Sequence, residues 1–443
     1  MSRAAVEEGL LTRLRVAWER SDALFALLEP GSLMERPIAL RQPFIFYLGH
    51  LPAFAWNQLG RAALGLPSFR PDFDELFERG IDPMGVDAYR AEQEPAWPAP
   101  EAVVEYRDRV RRSLERALDG GHGAGEQAVA MCLEHELMHH ETLLYMFQQL
   151  AFDRKRRPAR VPALPTGPGA PPSLVEVPGG RVTLGARRDS LEFGWDSEFP
   201  EHEVEVPGFT MDRTPVRNSE YLEFVEAGGY RDQRLWSLED WAWRQRRGLR
   251  HPLSWRLREG GFACVTLFEE VPLEAAGEWP AYVSWAEAAA FARWRGTRLP
   301  SEAEFHRAAH GAPDGETRAH PWGGDPPAAA HGNFDFHHWS PTPAGSHPAG
   351  ASAWGVLGLV GNGWEWTSSL FEPLPGFTPL PTYPGYSQDF FDGRHYVLLG
   401  ASWATDARLV RRSFRNWFQP HYPYVFAKFR CVSNGRKGDR THH

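Results

Sequence analysis

The sequence predicts a multidomain α+β chain: an N-terminal four-helix bundle, a Pro/Arg-rich linker, and an irregular α+β domain rich in turns. Three observations carry this reading. Four segments in the first third, 6–28, 41–60, 101–118 and 126–152, place apolar residues at helical spacing with polar or Pro-bearing connections between them, the pattern of a bundle. From Arg154 to Pro172 the composition shifts to Pro, Arg, Gly and Ala without apolar periodicity, and its proline content makes such a stretch extended and semi-rigid. Beyond it Trp, Gly and Pro abound, and short apolar runs alternate with turn residues. The expected limits are 1–155 for the bundle, 156–172 for the linker, 173–435 for the second domain and 436–443 for a tail.

The 443 residues, 42% hydrophobic and 24% charged, suffice for two or three globular domains with ample core. A net charge of -9 argues against a general nucleic-acid or anionic-membrane partner, because binding phosphates takes a clustered positive surface. No apolar stretch reaches the length of a membrane span. Near the start, Glu7, Glu8, Arg13 and Arg15 are interleaved with Leu10, Leu11, Leu14 and Trp18, an amphipathic helix rather than a signal peptide. The three cysteines, Cys132, Cys264 and Cys431, have no paired spacing, so no disulfide framework or thiolate metal site is expected. A reducing, cytoplasmic setting is the default.

The fourth bundle segment carries the chemistry. Leu133, Leu137, Leu144 and Phe147 recur at helical spacing, and no Gly or Pro interrupts the run from Met131 to Leu150. Inside it lies Glu134-His135-Glu136-Leu137-Met138-His139-His140-Glu141. His135 and His139 fall one turn apart on one face, where their ring nitrogens converge on a single ion; His140 points elsewhere. Read literally, His135-Glu136-Leu137-Met138-His139 is also the His-Glu-x-x-His pattern of zinc peptidases, with Glu136 as general base. That chemistry needs a third ligand downstream, and Ala151 to Pro172 contains no Glu or His.

The second bundle segment, Phe44 to Phe54, embeds one histidine, His50, among apolar residues. A lone buried histidine is more often a hydrogen-bonded core residue than a ligand. Bundles, however, build metal sites from inward-facing side chains on different helices, which makes His50 the partner of His135 and His139. In the second domain, Ser284 to Arg295 and Ser301 to Ala309 read as helices opening on capping boxes, Ser284 with Glu287 and Ser301 with Glu304.

Six further stretches are ordered along the second domain: Val177-Pro178-Gly179-Gly180, Arg298-Leu299-Pro300-Ser301-Glu302-Ala303-Glu304, Pro321-Trp322-Gly323, Gly361-Asn362-Gly363-Trp364-Glu365-Trp366-Thr367, Leu399-Gly400-Ala401-Ser402-Trp403 and Phe429-Arg430-Cys431-Val432. They resemble the motifs of the formylglycine-generating-enzyme fold, a C-type-lectin-like α+β domain. Those enzymes use a pair of nearby cysteines, whereas Cys431 stands alone, so the resemblance implies the fold and not that activity. The whole chain, a DinB-like helical domain with these three histidines ahead of this fold, resembles the ergothioneine-type sulfoxide synthases, or hercynine oxygenases. That resemblance implies one non-haem Fe(II) on His50, His135 and His139 and an active site between the domains. It also implies an O2-dependent reaction joining a thiol to the imidazole C2 of hercynine, the trimethylated betaine of histidine, as a sulfoxide. Three imidazoles on one face of an iron leave room for substrate, thiolate and O2.

Local stretches, Glu75 to Pro83, Tyr383 to Ser387 and Arg415 to Pro420, resemble the branch that uses free cysteine, which includes single-chain fungal enzymes. In the γ-glutamylcysteine branch, the pair matching Asn416-Trp417 is followed by an Asp and, four residues later, an Arg that hold the donor's carboxylates. Here those places are Phe418 and Tyr422, which favours a smaller donor such as cysteine. That branch's tyrosine aligns with Leu374, ahead of Pro375-Gly376-Phe377, and Tyr89 is taken as the replacement proton donor, against its being an ordinary half-buried residue. A Gln before the second helical histidine is Met138 here. Trp417 and Phe418 offer aromatic walls to a trimethylammonium group, against a plain core role. The implied partners are hercynine, cysteine and O2, with related thiol, selenium or histidine chemistry as variants. A zinc hydrolase and a non-catalytic binding module stay open as other readings.

Overall fold

Helices α1 (Arg3–Phe25), α2 (Phe44–Ala55), α4 (Pro100–Asp119) and α5 (Glu126–Gln148) build the N-terminal unit of the computed structural model, with a short α3 (Pro71–Leu76) beside them. The structure describes residues 3–78, 96–119 and 125–434, and the chain divides into two units at Arg160 and Val161. Helix α1 lies along α5, and α2 packs on α4 and α5. All twelve residues of α2 are buried, and in α5 every residue from Val129 to Phe147 except Met138 is buried. A helix covered on all sides brings its histidines and glutamates inside with its leucines.

The expected helix over 41–60 starts later and changes character. Pro43 occupies the N-cap position of α2, where a missing N–H costs nothing. Pro52 lies inside the helix and removes one of its ladder hydrogen bonds. From Trp56 to Ala63 the backbone continues as a π-helix, a winding that concentrates at functional sites.

The start of the Pro/Arg-rich stretch, Arg154 to Arg156, finishes the bundle. The last carbonyls of a helix need donors, and buried Lys155 supplies them, donating to Leu150 O at 3.0 Å and to Phe147 O. Arg154 pairs with Glu35, and Arg156 pairs with Glu29 at 2.8 Å. From Val161 the stretch is part of the C-terminal unit, where Pro165 O accepts from Trp279 Nε1 and Ala170 N donates to Ala344 O, both at 2.8 Å.

The C-terminal unit holds β1 (Leu174–Val177), β2 (Gly180–Leu184), β3 (His202–Val206), β4 (Phe209–Asp212), α6 (Asn218–Glu226), α7 (Leu238–Arg247), β5 (Trp255–Arg258), β6 (Gly261–Val265), β7 (Glu270–Pro272), α8 (Leu273–Ala276), α9 (Trp285–Trp294), α10 (Glu302–His310), β8 (Gly363–Leu370), β9 (Tyr396–Ala401), β10 (Asn416–Phe418), β11 (Ala427–Lys428) and β12 (Val432–Asn434). The strands form small sheets ordered β1-β4-β12, β10-β9-β8-β11, β2-β3 and β5-β6-β7. All pairings are antiparallel except β8 with β11. Helices α9 and α10 open on the two expected capping boxes. Helices α6 and α7 were not expected, although α7 carries legible signals, Ser237 at its N-cap and Gly248 left-handed at its end. The core sits where α10 packs on β2, β3, β8 and β9, with Phe305, Val182, Phe371 and Leu399 buried at its centre. Among the described residues, no helix is long and apolar enough to cross a membrane.

Candidate metal centre

Helix α2 contributes His50, and α5 contributes His135 and His139 from adjacent turns of one face. The structure brings the three together: one ring nitrogen from each lies within 4.8 Å of the others. Ring centroids are 4.3 Å apart for His135 and His139, and 5.1 Å from His50 to each.

Their surroundings fix which nitrogen faces inward. His50 Nδ1 lies 2.7 Å from Phe77 O. A carbonyl only accepts, so Nδ1 carries the proton and Nε2 keeps its lone pair. His139 repeats this with its own helix, Nδ1 donating to His135 O at 3.0 Å. His135 is clamped by stacking, its ring 3.5 Å from that of Phe54 and within 6° of parallel. Phe46 stacks on His50 at 4.9 Å. Burial pushes His50 down to about 4 and holds His135 and His139 well below the usual histidine range, with neighbouring imidazoles lowering those two further. All three are therefore neutral near pH 7, the form that ligates metal.

A buried site is a costly place for a lone pair without a donor. His139 Nε2 is buried with no hydrogen-bond partner among the described residues, and it belongs to a convergent set of three. The donor set fits a first-row transition ion, for which imidazole is a natural ligand. Among the described residues no carboxylate or thiolate joins this group.

Glu136 and His140 fall on a different face of α5 and meet α1. Ser21 Oγ donates to the Glu136 carboxylate and lies 2.8 Å from His140 Nε2. All three side chains are buried, and burial raises the Glu136 pKa. The glutamate of the His-Glu-x-x-His pattern is thus engaged in the contact between α1 and α5.

In the C-terminal unit, Asn416, Trp417 and Phe418 form β10, paired with β9. Asn416 Oδ1 accepts from Trp417 N at 2.9 Å. Half-buried Trp417 stacks on the core ring of Phe371 at 4.1 Å, so one of its faces does serve the core. Phe418 and Tyr422 stack on each other at 5.1 Å and 9°. Phe418 and Tyr422 thus form a single aromatic pair. Met138 is half-buried on α5, Leu374 is buried, and Tyr89 lies outside the described residues. Sequence reasoning missed Phe54 and Phe77. Gly49 was the one available signal for Phe77: a Cβ there would stand 2.5 Å from the Phe77 ring.

Residues 162–435 match the family model of the sulfatase-modifying factor enzyme 1-like domain, and residues 13–143 match that of the DinB superfamily. A hercynine oxygenase of Mycolicibacterium thermoresistibile is 37% identical over 407 residues, covering 89% of this chain and 87% of that protein. A hercynine oxygenase of Mycolicibacterium smegmatis is 39% identical over 313 residues, 68% of this chain and 71% of that one. Ergothioneine biosynthesis protein 1 of Neurospora crassa is 30% identical; the match covers 92% of this chain and 55% of that longer protein.

Proposed function

The chain belongs to the hercynine oxygenase family, and from that premise we propose that it is a sulfoxide synthase of ergothioneine biosynthesis, joining the thiol of cysteine to the imidazole C2 of hercynine with non-haem Fe(II) and O2. One observation carries the metal half of this reading: three buried, neutral imidazoles from two helices turn ring nitrogens toward one another, and His139 Nε2 has no hydrogen-bond partner among the described residues.

When bound, Fe(II) supplies electrons to O2 and favours thiolate over thiol at the donor sulfur. His50, His135 and His139 hold it as neutral ligands. Phe46 and Phe54, stacked on His50 and His135, keep those rings in place and exclude water from their flanks. Asn416, Trp417, Phe418 and Met138 are the proposed hercynine contacts, with Trp417 and Phe418 offering ring faces to the trimethylammonium group. Tyr89 is the proposed proton donor. The stacked Phe418 and Tyr422 present no charge for a glutamyl carboxylate, which supports cysteine as the sulfur donor. The three cysteines are buried free thiols, in keeping with the reducing cytoplasm. Residues 1–155 form the iron-binding domain in this reading, and 173–435 the formylglycine-generating-enzyme-like domain.

The test is anaerobic reconstitution with Fe(II), then O2, with mass spectrometry of hercynine incubated with cysteine or with γ-glutamylcysteine. The expected product is hercynyl-cysteine sulfoxide. A γ-glutamyl product formed in preference would overturn the donor assignment, and no product from either thiol at one iron per chain would overturn the reaction.

A further inference from the structure

We propose that α3 is the positioning element of the metal centre, fixing the tautomer and rotation of His50 through the backbone carbonyl of Phe77; this rests on the reading of His50 as a ligand. The three imidazoles are held in three different ways. His139 uses a carbonyl of its own helix, and His135 is held by the ring of Phe54, one turn beyond His50. His50 alone takes its hydrogen bond from a separate element, Phe77 O, 27 residues further along the chain. An acceptor on Nδ1 decides that Nε2 points inward with a lone pair, and outer partners of this kind govern ligand orientation and metal affinity.

A carbonyl on the residue that caps a six-residue helix is useful only if the helix cannot move, and α3 is fastened from several sides. The buried Asp74 carboxylate accepts from Tyr106 Oη on α4 and from Ser68 Oγ, each at 2.6 Å. Asn57, on the π-helical turn after α2, donates to Asp74 O at 3.1 Å. Phe73 and Phe77 both pack against the Tyr106 ring. Finally, the Phe77 ring lies against the bare backbone of Gly49, the residue before His50, where a Cβ would meet ring carbons at 2.5 Å. Asp74 and Tyr106 have no ring contact or hydrogen bond with any of the three imidazoles. Their effect on the metal runs through Phe77, which makes them positioning residues.

The experiment is Co(II) titration of metal-free, full-length protein, reading affinity and the visible absorption of the saturated complex. Gly49→Ala displaces Phe77 and is expected to weaken Co(II) binding by about 10–100-fold, the range for loss of an outer partner of a ligand, with an altered spectrum. Tyr106→Phe loosens α3 without touching Gly49 and is expected to shift the same spectrum in the same direction, by less. Wild-type affinity and spectrum in both Gly49→Ala and Tyr106→Phe would overturn the proposal. If Gly49→Ala does not fold, Tyr106→Phe decides alone, and a wild-type spectrum overturns it. His50→Ala separates the two levels: undiminished Co(II) binding there overturns His50 as a ligand and the role of α3 with it, whereas impaired binding there beside normal Gly49→Ala and Tyr106→Phe proteins overturns only α3.

Discussion

Each unit buries a trio of polar side chains, and the two trios are finished in opposite ways. In the C-terminal unit Glu365, Lys428 and Arg430 are completely buried and closed by protein. Arg430 forks onto both oxygens of Glu365 and donates to the carbonyls of Asp212 and Leu357 at 3.1 Å, while Lys428 Nζ reaches Gly363 O and lies 3.3 Å from Glu365. These bonds tie β8, β11 and the segment ahead of β12 into one piece. In the N-terminal unit His50, His135 and His139 are also buried but neutral, and His139 Nε2 has no partner among the described residues. Burial by itself does not separate structure from function. What separates these two trios is that the protein supplies the partners of one, while the other is a convergent set of three neutral ring nitrogens that includes an unpartnered one.

The largest effects should come from attacking both trios. His50→Ala, His135→Ala and His139→Ala are each expected to abolish iron loading while the protein stays folded, measured as metal content beside circular dichroism. Full iron content in any one variant would remove that residue from the ligand set and blur the contrast. Arg430→Met strips buried Glu365 of its forked hydrogen bonds and the Asp212 and Leu357 carbonyls of their donor, and is expected to cost about 3–5 kcal/mol, with iron loading unchanged. Denaturant unfolding followed by tryptophan fluorescence reports this, since only Trp18, Trp56 and Trp97 of the eighteen tryptophans lie in the N-terminal unit. A stable Arg430→Met protein would deny the closed cluster its structural role.

The open trio was legible in the sequence and the closed one was not, for a physical reason. His135 and His139 advertise themselves by helical spacing, and His50 stands out as a polar residue in the apolar run Phe44 to Phe54. Glu365 stands 65 residues before Arg430 in the chain and meets it and Lys428 through the parallel pairing of β8 with β11, a juxtaposition that no local pattern announces. The same holds for Phe77, whose contribution is a backbone carbonyl, and for Lys155, whose bonds to the last carbonyls of α5 no local pattern announces. Helices with capping boxes, α9 and α10, were legible; α6 is short and opens on Arg217 and Asn218, without the serine signature. The π-helix after Ala55 leaves no composition signal beyond Pro52 and Gly60.

The closed trio also has a pH signature. Burial lowers the Lys428 pKa from 10.5 to about 8. Below about pH 8 the lysine is protonated in both folded and unfolded chains, and the folded state bears the full cost of burying the charge. From about 8 to 10.5 the folded chain releases its proton first, so the unfolded chain binds more protons and stability rises with pH. The expected gain, read as the difference between wild type and Lys428→Met in urea unfolding at pH 8 and pH 10, is about 2 kcal/mol. A flat difference would mean that Glu365 keeps Lys428 charged throughout. Smaller again is the effect on donor choice. Phe418→Asp combined with Tyr422→Arg replaces the aromatic stack by opposite charges, and should raise turnover with γ-glutamylcysteine relative to cysteine by about tenfold, the worth of one charge-assisted hydrogen bond. An unchanged ratio would remove these positions from donor recognition.

The smallest expected effect is the most telling about the helix itself, because the same five residues support two chemistries. If α5 served a zinc hydrolase, Glu136 would be the general base, and Glu136→Gln would cost the ~10²–10⁴-fold that losing such a group brings. In the structure the Glu136 carboxylate accepts from Ser21 on α1 beside His140, away from the face that carries His135 and His139. A glutamine keeps an oxygen for Ser21 and fits the same volume, so the contact between α1 and α5 survives. Glu136→Gln should therefore bind iron fully and form sulfoxide at close to the wild-type rate, with at most a small loss of stability from the altered hydrogen bonding around His140. A hundredfold loss of turnover in a folded, iron-loaded Glu136→Gln protein would place the carboxylate in the chemistry after all, and the line between the faces of α5 would have to be redrawn.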